Sequence, residues 1–452
     1  MNRTGMSAYG ALITRSALGL ALALGVVSSA ALVSSPVLAA KKKKKQDEGP
    51  QLKLSPAFQK AIVNADAAVR KNDFETARTA MAEAKQAIES NDDRYQYHAI
   101  ELNLGLGLKD QDQQFRAIRG MVDTGLVPDA QIGQLSAFAA SDAYDKKEYD
   151  AAIGYARKAE AVGYKPEQIY PIIAQSLWGK AGRGNLSEEP ARSLVIEGLT
   201  TFKRGIDAMT AAGQTVPAQW YQVAIGKADA AGLPQLRDWA QWAFDAEPSG
   251  ENLRTILRVF QRDNPTMSNR ENLDLLRLMY WSGGLVLAAD YSEYAEMAGK
   301  SGVYGEVKSV IDEGKSSGIV YGGGGGDYYT TASEQIAGDK ASLPSAEADA
   351  IKAATGKIAA ATGAAYIGYA DYAKAIAMYQ LALQKGGVDS DEVNTHIGIA
   401  RAKSGDSAGA LEAFGKVQGP IRGKLAKFWA DYVKRRNASN AAAAPATASS
   451  AQ

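Results

Sequence analysis

The chain has 452 residues, 51 lysines and arginines against 50 aspartates and glutamates, and 46% hydrophobic residues. Near neutrality removes the electrostatic reason to bind nucleic acid. The absence of cysteine excludes disulfides, thiolate metal sites, iron–sulfur clusters and cysteine nucleophiles. At roughly 150 residues per domain the length accommodates about three domains or one extended repeat array.

Residues 1–40 have the pattern of an export signal. Arg3 and Arg15 give a positive start, no acid precedes Asp47, and Leu18 to Val33 is mostly apolar. Val37-Leu38-Ala39 then offers small or aliphatic residues for cleavage after Ala39 or Ala40. Ser28, Ser29, Ser34, Ser35 and Pro36 make a poor permanent membrane anchor. Without cysteine or an Arg-Arg pair, neither a lipoprotein nor a twin-arginine route is expected. The following 41–54 segment is a basic, disordered leader whose Lys41 to Lys45 run opposes translocation. The expected location is a bacterial periplasm, with secretion or envelope association as the alternative.

From Ser55 onward the chain is rich in helix-forming Ala, Leu, Lys, Glu and Gln. Apolar residues recur at spacings of three and four, as in Ala77, Met81, Ala84 and Ile88, or Ile153, Ala156 and Ala159. Gly, Asp and Pro punctuate the pattern, and β-branched alternation is nearly absent, which predicts an all-α fold. Internal repeats sharpen this. Gly363, Ala375 and Tyr379 recur 35 positions later as Gly398, Ala410 and Phe414. Asp73-Phe74, Ala77 and Ala84 recur 75 positions later as Glu148-Tyr149, Ala152 and Ala159, so a degenerate copy belongs between them, over Arg94 to Val127.

These features resemble the tetratricopeptide repeat family. Asn394 to Pro420 reads NTHIGIARAKSGDSAGALEAFGKVQGP, with Ile397-Gly398, Ala410 and Phe414 at the family's Leu-Gly, alanine and aromatic positions. A second copy covers Lys357 to Gly387 with Gly363, Tyr366, Tyr372, Ala375, Tyr379 and Ala382, and a third starts at Trp220 with Val223-Ala224, Ala243 and Pro248. The resemblance implies a helix–turn–helix solenoid, a right-handed superhelix with disordered termini. Physically, Gly363, Gly398, Ala375 and Ala410 permit close helix approach, and Tyr379 and Phe414 fill the space against the next hairpin. A single hairpin leaves apolar surface exposed, so stacking is obligatory.

An amino-terminal array is therefore expected over 55–320. Tyr321 to Tyr329 reads YGGGGGDYY and predicts a Gly-rich connector over 321–345, since Asp327 stands where a phosphate loop requires Lys. The carboxyl-terminal repeat pair and a capping helix take 346–436. In that helix, Ile421 to Arg436, the apolar face carries Ile421, Leu425, Phe428, Trp429 and Tyr432, and Lys424, Lys427, Lys434, Arg435 and Arg436 lie opposite. Such a helix also permits weak contact with a membrane surface. The Ala/Ser tail, 437–452, is expected to be disordered.

No catalytic or metal constellation emerges from the residues. Gly405-Asp406-Ser407-Ala408-Gly409 spells a serine-hydrolase nucleophile elbow, but a helix precedes it and no His follows it. Asp110-x-Asp112 begins like a calcium loop yet has Phe115 where the turn glycine belongs. His98 and His396 stand alone, and His98 beside Tyr95 and Tyr97 reads as a packed helix residue. Trp239, Trp242, Tyr280, Trp281, Tyr291, Tyr294 and Tyr304 suit packing between divergent hairpins, with partner or glycan contact as the alternative.

The resemblance implies a groove lined by the first helix of each repeat. Carried onto this sequence, its candidate partner-binding residues are Tyr221, Asp229, Lys357, Ile367, Glu392, Thr395 and Lys403. The expected function is an exported, non-enzymatic adaptor for a protein or peptide, with no cofactor, metal or nucleic acid. A hydrolase using Ser407 and an envelope-associated structural or glycan-binding factor are the alternatives.

Overall fold

The structure is a computed structural model and describes residues 50–320 and 326–443. The expected signal segment, most of the leader, residues 321–325 and residues 444–452 lie outside the described residues. Every regular element among the described residues is an α-helix.

The chain divides into two compact units at Leu233/Pro234. The first contains α1 (Pro56–Arg70), α2 (Phe74–Gln86), α3 (Asn91–Leu108), α4 (Gln111–Thr124), α5 (Asp129–Asp145), α6 (Tyr149–Ala161), α7 (Pro166–Ala181), α8 (Glu188–Ala211) and α9 (Ala218–Ala230). The second contains α10 (Leu236–Ala246), α11 (Gly250–Asp263), α12 (Asn269–Trp281), α13 (Ala288–Lys300), α14 (Tyr304–Ser316) and α15 (Gly326–Lys352). It continues through α16 (Lys357–Gly368), α17 (Tyr372–Lys385), α18 (Ser390–Lys403), α19 (Ser407–Phe414) and α20 (Arg422–Ala443).

One turn is used repeatedly. The amides of Asp73, Asp110, Glu148, Val303, Asp371 and Asp406 each donate to the carbonyl five residues earlier, at 2.8–3.0 Å. This bond closes a helix C-terminus whose penultimate turn residue is left-handed. Asn72, Lys109, Lys147 and Ala370 accept that conformation, and Gly302 and Gly405 adopt it without a Cβ penalty. At four of these turns the aspartate then caps the next helix: Asp73, Asp110, Asp371 and Asp406 accept from Thr76, Gln113, Lys374 and Gly409 amides. Asp110 stands midway between Asp73 and Glu148, and α3 with α4 is the degenerate copy that the internal spacing requires.

Aromatic side chains seated on glycines hold the hairpins together. A Cβ on Gly363 would lie 3.1 Å from the Tyr379 ring, and one on Gly398 would lie 2.5 Å from Phe414. Ala375 and Ala410, at matching positions of α17 and α19, are wholly buried. The same device joins successive hairpins, because Phe74 of α2 covers Gly107 of α3 and Tyr149 of α6 covers Gly179 of α7. In the first unit Phe58, Ile62, Met81, Ile100 and Leu104 form one core cluster, and Leu102, Ile118, Leu135, Ile169 and Ile173 belong to another. Each fully buried side chain of this size contributes about 1.5–3 kcal/mol. Trp178, Phe202 and Trp220 continue the packing, with ring centroids 5.2 and 4.9 Å apart.

The second unit closes on itself. α20 packs against α19 and α18 and also reaches the much earlier α12. Phe428 meets Phe260 of α11 at 5.4 Å, Trp429 stacks on Trp281 at 5.5 Å, and Arg435 donates to Asp245 of α10 at 2.7 Å. α20 thus crosses the start of its own unit as well as covering the last repeat.

Several boundaries differ from the sequence reading. The division lies at Leu233/Pro234, not at the glycine run, so the third repeat copy is split, with α9 ending one unit and α10 opening the next. Within the expected connector 321–345, residues from Gly326 onward are helical in α15. Tyr328 covers Gly299 and the Tyr329 hydroxyl donates to Asp312 at 2.6 Å, which fastens α15 to α13 and α14. The expected tail is helical through Ala443 because α20 runs on. The end of the leader is also tied down: the Lys53 amide donates to Asp92 at 2.7 Å, and the Ser55 amide and hydroxyl donate to Asp93 at 2.9 Å.

Candidate functional site

The densest polar chemistry lies in the second unit. On α12 the run Leu273-Asp274-Leu275-Leu276-Arg277-Leu278-Met279 embeds two charges in leucine, and all seven residues are buried. Asp274 and Arg277 lie three apart on one helical face, and Arg277 donates to Asp274 at 2.8 Å. Glu306, in the first turn of α14, receives both remaining Arg277 nitrogens at 2.7 and 3.0 Å. α18 brings His396, whose Nε2 is 3.0 Å from Asp274, and α20 brings Arg422, which donates to the other Asp274 oxygen at 2.6 Å. The Tyr294 hydroxyl adds a bond to Glu306 at 2.9 Å, and the Trp429 indole donates to the Asp274 carbonyl at 3.1 Å.

Two buried carboxylates therefore face two buried guanidiniums. Burial would raise the Asp274 pKa, but His396, Arg422 and Arg277 outweigh it and hold the group well below the carboxylate range. Burial would likewise lower Arg277, and Glu306 with Asp274 drives it well above its ordinary value. Removing either partner would strand a charge in the interior. Chemically this is a lock that joins α12, α14, α18 and α20. A similar clasp holds Asp290, which accepts from Arg254, Arg258 and the amides of Val286 and Leu287. Burial opposes its ionisation, yet the arginines bring its pKa down to about 2.

Beside the lock is a half-buried aromatic surface with cations on it. Lys403, the last residue of α18, lies 4.9 Å from the Trp281 ring and 5.6 Å from Tyr280. Arg436 of α20 lies 4.6 Å from the same Trp281 ring. Burial pushes the Lys403 amine down to about 8, Glu306 and Glu313 oppose that change, and Arg436 adds to it.

The expected groove residues are divided between the two units. Tyr221 and Asp229 belong to the first unit, and the other five belong to the second. Tyr221, Ile367 and Thr395 are buried, a correction to their placement against a partner. Thr395 is fully enclosed and its hydroxyl donates to the Asp391 carbonyl at 2.7 Å. The reason is the covering of α18, whose residues Val393 to Ala400 are all buried. Ile367 belongs to the core cluster that contains Tyr379, Val393 and Ile397. Glu392 stands at the rim of the lock, paired with Arg270 at 3.1 Å and Arg422 at 3.5 Å. Lys357 and Asp229 are exposed, and Lys403 is half-buried.

The other motifs are absorbed locally. Ser407 opens α19 after a hairpin turn, and its hydroxyl donates to Asn437 at 2.9 Å, so the elbow spelling is a helix cap. His98 pairs with Glu101 at 2.8 Å and fills the space over Gly120. Trp239, Tyr291 and Tyr294 are core, whereas Tyr280, Trp281 and Tyr304 are partly exposed. α20 spends its apolar face inside the unit, with Leu425 and Trp429 at 0% exposure, which leaves little of it for a membrane. Among the described residues no helix is long and apolar enough to cross a membrane, and no three His, Asp or Glu side chains stand together as metal ligands.

The recurring turn and the glycine sockets decide the architecture. The chain is a helix–turn–helix repeat protein of tetratricopeptide-like build. No protein-family model matches it, and no curated protein matches its sequence. Among solved structures, the apo form of RapI is similar at 11% identity, covering 73% of this chain and 97% of that one, with a TM-score of 0.28. The pentatricopeptide repeat protein PPR10 from maize is 15% identical over 84% of this chain, which spans 53% of PPR10, with a TM-score of 0.25. A circular tandem repeat protein with novel repeat topology is 13% identical, covering 85% of this chain and 97% of that one, with a TM-score of 0.18. Such low overall superposition carries no information about a partner.

Proposed function

We propose that this tetratricopeptide-like protein is a non-enzymatic scaffold that holds a protein partner in a bacterial periplasm or cell envelope. The observation that carries the reading is the turn repeated at eleven helix ends among the described residues, which builds stacks of helices offering side-chain surfaces. The buried charges support it too, because a neutral lock of Asp274, Glu306, Arg277 and Arg422 serves to fix helices together. Residues 1–40 supply the export part of the reading, through Arg3, Arg15, the apolar run and Val37-Leu38-Ala39.

Two measurements test the two parts. Amino-terminal sequencing of protein recovered from the envelope should begin at Ala40 or Lys41; a retained Met1 in a soluble cytoplasmic pool would sink the export part. Photo-crosslinking in cells, with probes at exposed positions such as Lys357, should trap one defined protein. A pattern no different from an unrelated exported protein would end the scaffold reading.

A further inference from the structure

The buried and half-buried arginines of α11, α12 and the start of α20 each have an acidic partner: Arg254 and Arg258 have Asp290, Arg277 has Asp274 and Glu306, and Arg422 has Asp274 and Glu392. Lys403 and Arg436 differ. Each rests on the Trp281 ring, and neither has a hydrogen-bond or ion-pair partner among the described residues. Trp281 cannot move away to separate them, because it is stacked on fully buried Trp429 at 5.5 Å and held edge-on by Tyr432 at 5.5 Å. Lys403 is equally fixed, at the end of a helix buried nearly all round. Half-buried Lys403 and exposed Arg436 thus place two like charges at one aromatic floor, an arrangement with an electrostatic cost that an arriving anion would relieve.

We propose that Lys403 and Arg436, over the Trp281 floor, form a binding site for a single carboxylate. This deepens and rests on the scaffold reading, the carboxylate being that of an acidic segment of the partner. The local charge sets the valence. Glu306 is already engaged by Arg277, and Glu313 lies beside Tyr280 and acts on Lys403. Lys403 and Arg436 against Glu313 leave one positive charge, which matches a carboxylate and disfavours a dianionic phosphate. A carboxylate accepts charge-assisted bonds from an ammonium and a guanidinium at once, and the half-buried rings of Tyr280, Trp281 and Tyr432 give apolar parts of the same segment a surface to cover. The depressed Lys403 pKa agrees with an amine waiting for its counter-charge.

The test uses the full chain and a fluorescein-labelled Gly/Glu peptide, read by anisotropy at pH 7, with a Gly/Gln peptide as control. The Gly/Glu peptide should bind and the Gly/Gln peptide should not. Lys403→Met, which keeps the aliphatic stem, should weaken binding by about tenfold or more, and Arg436→Gln by several-fold. Lys352→Met, at an exposed position of α15, should leave binding unchanged. Free glutarate separates the sources: a peptide that binds well above glutarate identifies the partner segment, and equal affinity assigns the site to a small carboxylate and overturns the partner part. A readout independent of variants is the titration of reductively ¹³C-methylated Lys403 by NMR, whose midpoint should rise when glutarate is added. An unmoved midpoint, or Lys403→Met binding the peptide like the parent with an unchanged circular dichroism spectrum, overturns the site. If the crosslinked partner persists in Lys403→Met cells, the scaffold reading stands and this site falls.

Discussion

At Gly398 there is no room for a side chain, since a Cβ would come within 2.5 Å of the Phe414 ring, and Phe414 in turn is wedged against Trp429 at 6.0 Å. Gly398→Val should therefore cost about 1–3 kcal/mol or more by overpacking. Adding Phe414→Leu should return part of that loss, which urea titrations of the two single variants and the double variant would resolve. This socket was legible in the sequence, because Gly398 and Phe414 repeat Gly363 and Tyr379 at a fixed spacing. Lys403 offers a pH test at the same scale. Its folded pKa, about 8, lies below the ordinary lysine value of 10.5, so the unfolded chain holds more protons between those values. Stability should consequently rise with pH across that window, while the full penalty persists below pH 8. The penalty is of order 1–3 kcal/mol, reduced by partial solvent contact. Lys403→Met should flatten this component, seen by comparing urea midpoints of parent and variant at pH 7.5 and 10; an unchanged difference would show that Lys403 is not desolvated.

The helices themselves follow from local chemistry, and so do many of their ends. Asp73, Asp110, Asp371 and Asp406 cap helices because a short acceptor just past a left-handed turn reaches the next free amides. What an element does once formed is less legible. α12 carries charges inside an apolar run and α18 a buried His396, and these side chains meet partners 119 to 148 positions away. The embedded Leu-Asp-Leu-Leu-Arg-Leu pattern was the available signal, since a solvated face would alternate with the core at helical spacing. Asp274→Asn tests the resulting lock. It leaves Arg277 and Arg422 buried with half their compensation and should destabilise the second unit by about 3–5 kcal/mol. Hydrogen exchange should show faster opening of α12, α18 and α20 with α1 to α6 unaffected. Uniform change across the chain would refute the assignment of the lock to one unit.

For the whole molecule, the division at Leu233/Pro234 predicts that residues 50–233 and 234–443 each fold when expressed separately. Each should be helical by circular dichroism and melt cooperatively, and a fragment cut at residue 320 should instead leave α15 to α20 without α12 and α14, aggregating or unfolding. The glycine run drew the expected boundary to 321 because glycine is a poor helix former, but the last of the run, Gly326, opens α15, and Tyr328 and Tyr329 fasten that helix to its predecessors. Composition, helical period and the repeat of glycine, alanine and aromatic positions were enough to determine an all-α chain of stacked hairpins, because each depends on neighbours within a few turns or one repeat. The tertiary structure alone decided where one unit ends, that α20 crosses back to α10, α11 and α12, and that Thr395 and Ile367 are enclosed while Lys403 stays reachable. Those outcomes depend on residues far apart in sequence meeting in space, and local pattern does not encode which distant charge will neutralise which.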